Sequence, residues 1–153
     1  MDDSNQLEPF TEDLGEGSRR EGTRLGEVIN HGPAVLYWPL GVIVDEEWKL
    51  GALVHRSLRD SGTLLSKVSY AGHRPAVKAE LEKLVGELDT VMLVNVKCPW
   101  KCTGVFVGLM KSGKYHGRAL FFAEKGWVNS GEFDHGKYHG KFVLYYKENT
   151  IYD

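Results

Sequence analysis

This 153-residue chain has few cysteines, no long apolar run and almost no net charge. Its two cysteines, Cys98 and Cys102, are too few for the disulfide framework of a small secreted domain. No apolar run approaches the roughly 18 residues of a membrane-spanning helix, and the first residues lack the basic and apolar regions of a signal peptide. These absences predict a cytoplasmic protein. The net charge of −2 also makes nucleic acid an unlikely general partner.

The chain also lacks the motifs that mark common catalytic and cofactor sites. It contains no Gly-x-Ser-x-Gly element, P-loop, His-Glu-x-x-His motif or dinucleotide fingerprint. The acidic residues 45–47 are more typical of a solvated turn than of paired catalytic carboxylates. The sequence therefore gives no positive reason to predict an enzyme, and it predicts no cofactor.

Glycine and aromatic residues are abundant. The chain has 18 glycines, four tryptophans, seven tyrosines and six phenylalanines, which together favour short strands joined by sharp turns. Compact apolar runs predict strands at residues 34–38, 41–44 and 52–54, with a further strand at residues 66–70.

One segment has a helical rather than a strand-like pattern. Pro75 suits the first turn of a helix, and apolar residues then recur on one helical face. They are Val77, Leu81, Leu84, Val85 and Leu88. Residues 74–89 are therefore predicted to form one amphipathic helix. The apolar run at residues 91–96 predicts a strand that is buried on both faces.

Residues 108–130 and 131–153 are two copies of one 23-residue unit. Residues 113–117 and 136–140 have the same sequence, Gly-Lys-Tyr-His-Gly. The first glycine of each copy supplies the positive φ of a hairpin turn, and the second is expected to allow a close approach of backbone or ring. A single hairpin cannot bury its own apolar face, so neighbouring copies are expected to stack.

The pattern Gly-x-Phe-x-x-Gly-Lys-x-His-Gly-x-x-x-x-Tyr-Tyr-x-x-Asn over residues 131–149 resembles a MORN repeat, in the bacterial-type variant with a doubled aromatic. Residues 31–51 resemble a degenerate third copy. The resemblance implies a β-hairpin meander in a scaffold or membrane-associated adaptor. In small bacterial proteins it also implies an antitoxin-like or immunity-like role.

The predicted fold is mainly β, an antiparallel hairpin meander with one packed amphipathic helix. The acidic, glycine-containing residues 1–22 are expected to be a flexible tail, and residues 23–153 a single globular domain. Within that domain we expect a degenerate repeat at 31–55, a helix-containing insertion at 56–107 and two repeats at 108–153.

Aromatic and basic residues of the two repeats are the candidate partner-binding residues. They are Tyr115, Arg118, Tyr138, Lys141, Tyr145 and Tyr146. An exposed aromatic and basic face suits a non-catalytic protein–protein interaction or scaffolding module. The alternative is that these aromatics only pack the hairpins. Since side chains alternate along a strand, only one of Tyr145 and Tyr146 faces the core, and the other is the better contact residue.

Two other functions stay open. Lys114, Arg118, Lys137 and Lys141 suit peripheral binding to anionic lipid. A metal-dependent or thiol-dependent protein would use Cys98 and Cys102, although their Cys-x3-Cys spacing differs from the Cys-x2-Cys spacing of redox and zinc motifs.

His116 and His139 occupy equivalent repeat positions, and the resemblance to MORN repeats implies that a histidine before that glycine is structural. In addition, no acidic or cysteine partner lies at a recognisable ligand spacing. The sequence leaves the identity of the partner and the oligomeric state open.

Overall fold

Two antiparallel sheets and one helix make up the described part of the computed structural model, which comprises residues 6–68, 71–97, 102–146 and 150–152. The mainly β fold with a single helix is therefore confirmed. The chain divides into two compact units, residues 1–62 and 63–153, which we call unit 1 and unit 2. The described residues contain no helix with both the length and the apolar character needed to cross a lipid bilayer.

Unit 1 is built on one sheet with the strand order β1-β2-β4-β5-β6, and β3 pairs with β2. Its strands are β1 (Leu7–Gly15), β2 (Ser18–Leu25), β3 (Ile29–Asn30), β4 (Gly32–Tyr37), β5 (Ile43–Lys49) and β6 (Ala52–Asp60). The strands predicted at 34–38, 41–44 and 52–54 overlap β4, β5 and β6.

Residues 7–22 are paired strand rather than the expected flexible tail. β1 pairs with β2 along its length, and opposite charges meet across the pair. Glu12 lies 3.4 Å from both Arg20 and Arg24, and the Arg24 guanidinium lies 3.8 Å from the centre of the Phe10 ring. Cross-strand charge pairing and cation–π contact thus support a hairpin whose low apolar content resembles that of a tail.

Unit 2 contains the helix and a second sheet with the order β13-β12-β10-β9-β8-β7, with β11 paired to β10. Its elements are α1 (Arg74–Val85), β7 (Thr90–Lys97), β8 (Thr103–Lys111), β9 (Lys114–Ala123), β10 (Val128–Asp134), β11 (Lys137–Tyr138), β12 (Val143–Tyr145) and β13 (Thr150–Tyr152). α1 packs on β8 and β9. Its buried residues are the predicted Val77, Leu81, Leu84 and Val85, whereas Leu88 lies beyond its end and is exposed.

Two predicted strands of unit 2 differ from the structure. Leu65–Lys67 is a 3-10 helix, because the Ser66 hydroxyl and the Lys67 N–H both donate to the Thr63 carbonyl and close a tight turn; residues 69 and 70 lie outside the described residues. β7 is an edge strand among the described residues, so it is only partly buried instead of being covered on both faces.

The predicted domain boundaries also differ from the structure. The division falls between residues 62 and 63 and not at residue 22. β6 extends to Asp60, so the first residues of the expected insertion at 56–107 belong to the sheet of unit 1.

Four hairpins in the described residues use the same two-residue turn. The turn pairs are Glu16–Gly17, Leu50–Gly51, Ser112–Gly113 and His135–Gly136. In each pair the first residue has φ between 46 and 52° and the glycine has φ between 78 and 90°. Positive φ at both positions defines a type I′ turn, whose twist matches that of the two strands it joins.

Two of these hairpins also share a hydrogen bond and a positive-φ glycine outside the turn itself. The Gly51 N–H donates to the Asn30 carbonyl, and the Gly136 N–H donates to the Tyr115 carbonyl, each at 2.8 Å. Gly32 and Gly117 each lie two residues after the accepting residue and have φ of 94 and 97°. All these positions are related by an offset of 85 residues, so segments 30–51 and 115–136 have a common local backbone.

A buried carboxylate lies between two arginines in unit 1. The side chain of Glu46 is 0% exposed and accepts hydrogen bonds from Arg20 Nε at 2.7 Å, Trp48 Nε1 at 3.0 Å and Arg56 Nε at 3.0 Å. Burial alone would raise the pKa of Glu46. The hydrogen bonds from Arg20 and Trp48 and the charges of both arginines outweigh burial and hold that pKa below its usual value.

Replacing Leu50 by Asn is expected to stabilise unit 1 by about 1 kcal/mol, because a non-glycine residue at positive φ costs about 1–2 kcal/mol and Asn tolerates that region better. Leu50 is 72% exposed, so little apolar contact is lost. Urea unfolding measures the change. Val28→Asn, at an exposed site without positive φ, is the control and should not stabilise; equal effects in both variants would contradict the strain argument.

Acid is expected to destabilise unit 1 through Glu46. Because its pKa is lowered in the folded state, its stabilisation is complete above the unfolded-state pKa of about 4.3 and is lost as the pH falls through the folded value. Glu46→Gln should cost about 3 kcal/mol at neutral pH, since it leaves buried arginine charge under-compensated, and should flatten the acid limb of the stability curve. Urea unfolding across a pH series tests this, with the exposed Glu27→Gln as control.

Candidate partner-binding groove

The two faces of the unit 2 sheet carry different kinds of side chain. Ser130 and Tyr145 donate hydrogen bonds to Glu80 of α1, at 2.6 and 2.7 Å, so they lie on the helix-covered face. Because side chains alternate along a strand, Asn129 lies on the opposite face, together with its cross-strand partner Phe121. That second face carries a buried cluster, which consists of Phe106, Ala119, Phe121, Ala123 and Phe133. We call it the aromatic face.

Two glycines of β8 allow rings to lie close against the aromatic face. A Cβ on Gly108 would come within 2.6 Å of Ala119 Cβ and 2.9 Å of Phe106 Cζ. A Cβ on Gly104 would come within 2.9 Å of Phe121 Cζ and closer still to the backbone of β9. Both glycines are thus needed for close packing of the rings rather than for a turn.

The rings form a continuous series of contacts. Tyr115 stacks on Phe106, with centroids 4.0 Å apart and planes 16° apart. Phe133 meets both rings edge-on, at 5.7 and 5.5 Å, and lies 4.3 Å from the ring of Tyr138. Edge-on and stacked contacts of this kind are each worth about 0.5–1.5 kcal/mol beyond burial. The ring positions are therefore mutually restrained.

An open groove of about 250 Å³ runs along this series, and we call it the aromatic groove. It is lined by Val96, Lys97, Phe106, Tyr115, Phe121, Phe133, Gly136 and Tyr138. Its walls are mostly apolar, with two phenol hydroxyls and one ammonium as polar groups. Lys97 is exposed and forms no ion pair with any described residue.

Tyr138 is held in the groove wall by a buried amide. Asn129 Nδ2 donates to the Tyr138 hydroxyl at 2.7 Å. Burial raises the pKa of Tyr138 to about 12, although the hydrogen bond from Asn129 opposes that rise. Asn129 Oδ1 is buried and has no hydrogen-bond partner among the described residues. The hydroxyl of Tyr138 is therefore neutral at physiological pH.

The six predicted contact residues do not form one surface. Tyr115 and Tyr138 line the aromatic groove, whereas Arg118 and Tyr145 lie beside Glu80. Burial and then the hydrogen bond to the Glu80 carboxylate raise the pKa of Tyr145 to about 12. Arg118 and Tyr145 therefore bind the helix to the sheet.

The last two predicted residues lie outside the groove lining. Lys141 is exposed just after Gly140, and Tyr146 is 42% exposed just after β12. Tyr145 is half-buried and its ring lies 5.6 Å from that of His73. One of the two neighbouring tyrosines is thus held by α1 while the other is exposed.

Six groove residues were not among the sequence candidates, and three of these six precede the repeats. These three are Val96, Lys97 and Phe106, in the segment interpreted as an insertion. Phe106 alternates with Gly104 and Gly108, and this spacing is the one signal in the sequence that could have placed its ring on a glycine-lined face. Nothing in the sequence brings Lys97 next to the repeat tyrosines.

Cys102 is disulfide-bonded in the structure and packs at the edge of the aromatic cluster. Cys98 lies outside the described residues. A disulfide sulfur is neither a thiolate nucleophile nor a thiolate metal ligand, so Cys102 has neither property in this state.

The chain matches no protein-family model, and it matches no curated protein. The groove itself offers apolar surface, two phenols and one cation, which are groups suited to binding.

Gly108→Ala is expected to destabilise unit 2 by about 1–3 kcal/mol, because the added methyl overlaps Ala119 and the Phe106 ring. Near-ultraviolet circular dichroism should also lose intensity as the stacked rings shift, and urea unfolding gives the free energy. Gly72→Ala is the matched control: its φ is not positive and a Cβ there meets nothing within 4 Å. Equal stability of the two variants would contradict the close-packing role.

Proposed function

We propose that this protein is a non-catalytic protein-interaction module that holds a segment of a partner protein in the aromatic groove. The observation that carries the proposal is the groove itself, which is open, mostly apolar and lined at one point by Lys97, an exposed cation with no ion pair among the described residues. Tyrosine in such positions contributes large contact area with little loss of conformational entropy, which is why it is common at binding hot spots.

The size of the groove favours side chains over a whole metabolite. Its volume of about 250 Å³ lies below the roughly 300–1,000 Å³ of typical small-molecule sites. A groove of this size accommodates one or two side chains from a partner. The remaining contact area would come from the surface around it.

The lining groups indicate which residues the partner supplies. Apolar rings from Phe106, Phe133 and Tyr138 favour an aromatic or large aliphatic side chain. The Lys97 ammonium favours a carboxylate close to that side chain. We therefore propose a partner segment in which an aromatic or aliphatic residue lies next to Asp or Glu.

The MORN resemblance is consistent with this proposal, because it implies scaffolding proteins. An antitoxin-like or immunity-like role would be one form of the same function, with a toxin as the partner. No catalytic group is needed for either.

Anionic lipid is the weaker candidate. Of the four cations suggested for it, Arg118 lies 3.6 Å from Glu80, which leaves Lys114, Lys137 and Lys141. Sequence-readable lipid-binding clusters usually contain about four to eight Lys or Arg residues. Three lysines fall short of that number, so we favour a protein partner.

Selection of peptides from a random display library on the immobilised full chain tests the proposal. Enriched peptides are expected to combine an aromatic or large aliphatic residue with a nearby Asp or Glu. Lys97→Glu should weaken a selected peptide about three- to tenfold, because a rim charge is reversed. Tyr115→Leu should weaken it at least about tenfold, because a groove wall is lost while apolar contact with Phe106 is kept.

Lys125→Glu and Tyr146→Leu are the matched controls, since both residues are exposed and neither lines the groove. Their affinities should equal that of the unmodified chain, and circular dichroism should show that all variants fold. Peptides that bind equally well to Lys97→Glu and Tyr115→Leu would overturn the proposal. Salt-sensitive sedimentation with phosphatidylserine vesicles, without selected peptides, would favour the lipid alternative.

A further inference from the structure

Three possible metal ligands meet at the tip of the hairpin formed by β10 and β11. His116 Nδ1 lies 3.5 Å from Asp134 Oδ1, and His135 Nδ1 lies 2.5 Å from the same oxygen. One ligand atom from each of the three residues lies within 4.8 Å of the others. The side chains are 39, 48 and 79% exposed, so a hydrated ion can reach them without opening the fold.

The corresponding histidine in unit 1 has a different contact. His31 Nδ1 accepts a hydrogen bond from the Leu50 N–H at 3.0 Å and so holds the first residue of the type I′ turn. At the offset of 85 residues, His31 corresponds to His116 and Leu50 to His135. The Nδ1 of His116 faces Asp134 instead, and its ring lies 5.5 Å from that of His135.

The sequences of the two hairpins differ at the positions that matter for a metal. Where unit 2 has Asp134 and His135, unit 1 has Lys49 and Leu50, which cannot act as ligands there. The shared backbone thus carries a complete set of two imidazoles and one carboxylate in only one of these two hairpins. Architecture alone does not require that set, because the unit 1 hairpin forms without it.

We propose that His116, Asp134 and His135 form a binding site for a divalent transition-metal ion of the Zn²⁺ class. Two imidazoles and a carboxylate are ligands that Zn²⁺ accepts, with coordination distances of about 2.0–2.2 Å. Ligand atoms around a tetrahedral ion at those distances are about 3.3 Å apart. The His116–Asp134 separation of 3.5 Å is close to this value, and the His135–Asp134 separation of 2.5 Å has to lengthen by about 1 Å.

The donor set also predicts selectivity. Imidazole nitrogen favours Zn²⁺, Ni²⁺ and Cu²⁺, whereas Ca²⁺ and Mg²⁺ prefer sites made entirely of oxygen ligands. Lys137 lies opposite Asp134 in the strand register, and its positive charge opposes every divalent cation equally, so the selectivity rests on the two imidazoles. Three protein ligands leave at least one coordination position for water or another ligand.

The test is calorimetric titration of the full-length, metal-free protein with Zn²⁺ at neutral pH without reductant. One ion per chain is expected, with no comparable heat from Mg²⁺ or Ca²⁺. The affinity for Zn²⁺ should fall at least about tenfold in each of the variants His116→Ala, Asp134→Asn and His135→Asn. In known sites, replacing a residue that only hydrogen-bonds to a metal ligand already costs about tenfold in affinity. Asn is chosen in His135→Asn because it tolerates the positive φ that the turn requires at residue 135.

Two controls separate this site from other ligands of the chain. His139→Ala removes the histidine at the repeat position equivalent to His116 but outside the cluster, and should leave the affinity unchanged. A variant with both Cys98→Ser and Cys102→Ser should also bind normally. Histidine side-chain resonances in an NMR titration should shift for His116 and His135 but not for His139.

Two results would overturn the proposal. The first is no heat of Zn²⁺ binding and no resonance shift with the unmodified protein. The second is binding that persists in His116→Ala and His135→Asn or is lost only with the cysteine pair. Circular dichroism of each variant shows whether the hairpin remains folded, and the NMR shifts report the site independently of affinity.

Discussion

Register beside four hairpins of the described residues, two in each sheet, depends on a two-residue turn in which both residues have positive φ. Such a turn fixes the pairing of the residues beside it: Lys111 faces Lys114 across one turn, and Asp134 faces Lys137 across another. In β8 and β9 the register then shifts once more, at an irregularity between Gly108 and Met110. A slip of one residue would move every side chain to the other face of the sheet. The stack of Tyr115 on Phe106 therefore depends on the backbone conformation at Ser112 and Gly113 as much as on the attraction between the rings.

With register set, the sheet of unit 2 acquires two different faces. On one, α1 packs with aliphatic residues, and Glu80 accepts hydrogen bonds from Ser130 and Tyr145. On the other, glycines of β8 admit rings that pack against each other and border an open groove. The helix-covered face supplies rigidity, and the aromatic face supplies the surface suited to a partner. A rigid support of this kind reduces the ordering cost of binding.

The sequence predicted the local features of this fold better than the long-range ones. Glycine spacing located the turns at Gly113 and Gly136, and helical periodicity located α1, because both signals depend on neighbouring residues alone. Residues 7–22 were wrongly predicted to be a flexible tail, because their hairpin is supported by ion pairs and a cation–π contact. The sequence signal for a strand is the alternation of apolar residues, which does not include such contacts. The expected strand at 66–70 failed because the hydroxyl of Ser66 bonds locally to Thr63.

Only part of the candidate site could be predicted from the sequence, because the position of a residue in a repeat does not determine its long-range contacts. Repeat positions identified Tyr115 and Tyr138 as aromatic residues of one series, but equivalence between repeats does not state which face a residue occupies. Arg118 and Tyr145 belong to the same two repeats as the groove residues Tyr115 and Tyr138, and yet they contact Glu80 of α1. Lys97 and Val96 enter the groove from β7, a strand that belongs to neither repeat.

The contacts of Glu80 have a consequence for the order of folding. Its hydrogen-bond partners Ser130 and Tyr145 follow it by 50 and 65 residues, whereas the β8–β9 and β10–β11 hairpins each close over a loop of two residues. Closing long loops costs more entropy than closing short ones, so the hairpins can form before the helix is fully docked. During synthesis α1 also leaves the ribosome before β8, β9 and β10 exist. The apolar side of α1 is then exposed to water until the sheet that covers it has formed. Exposed apolar surface favours aggregation, so the nascent chain is vulnerable to aggregation during this interval.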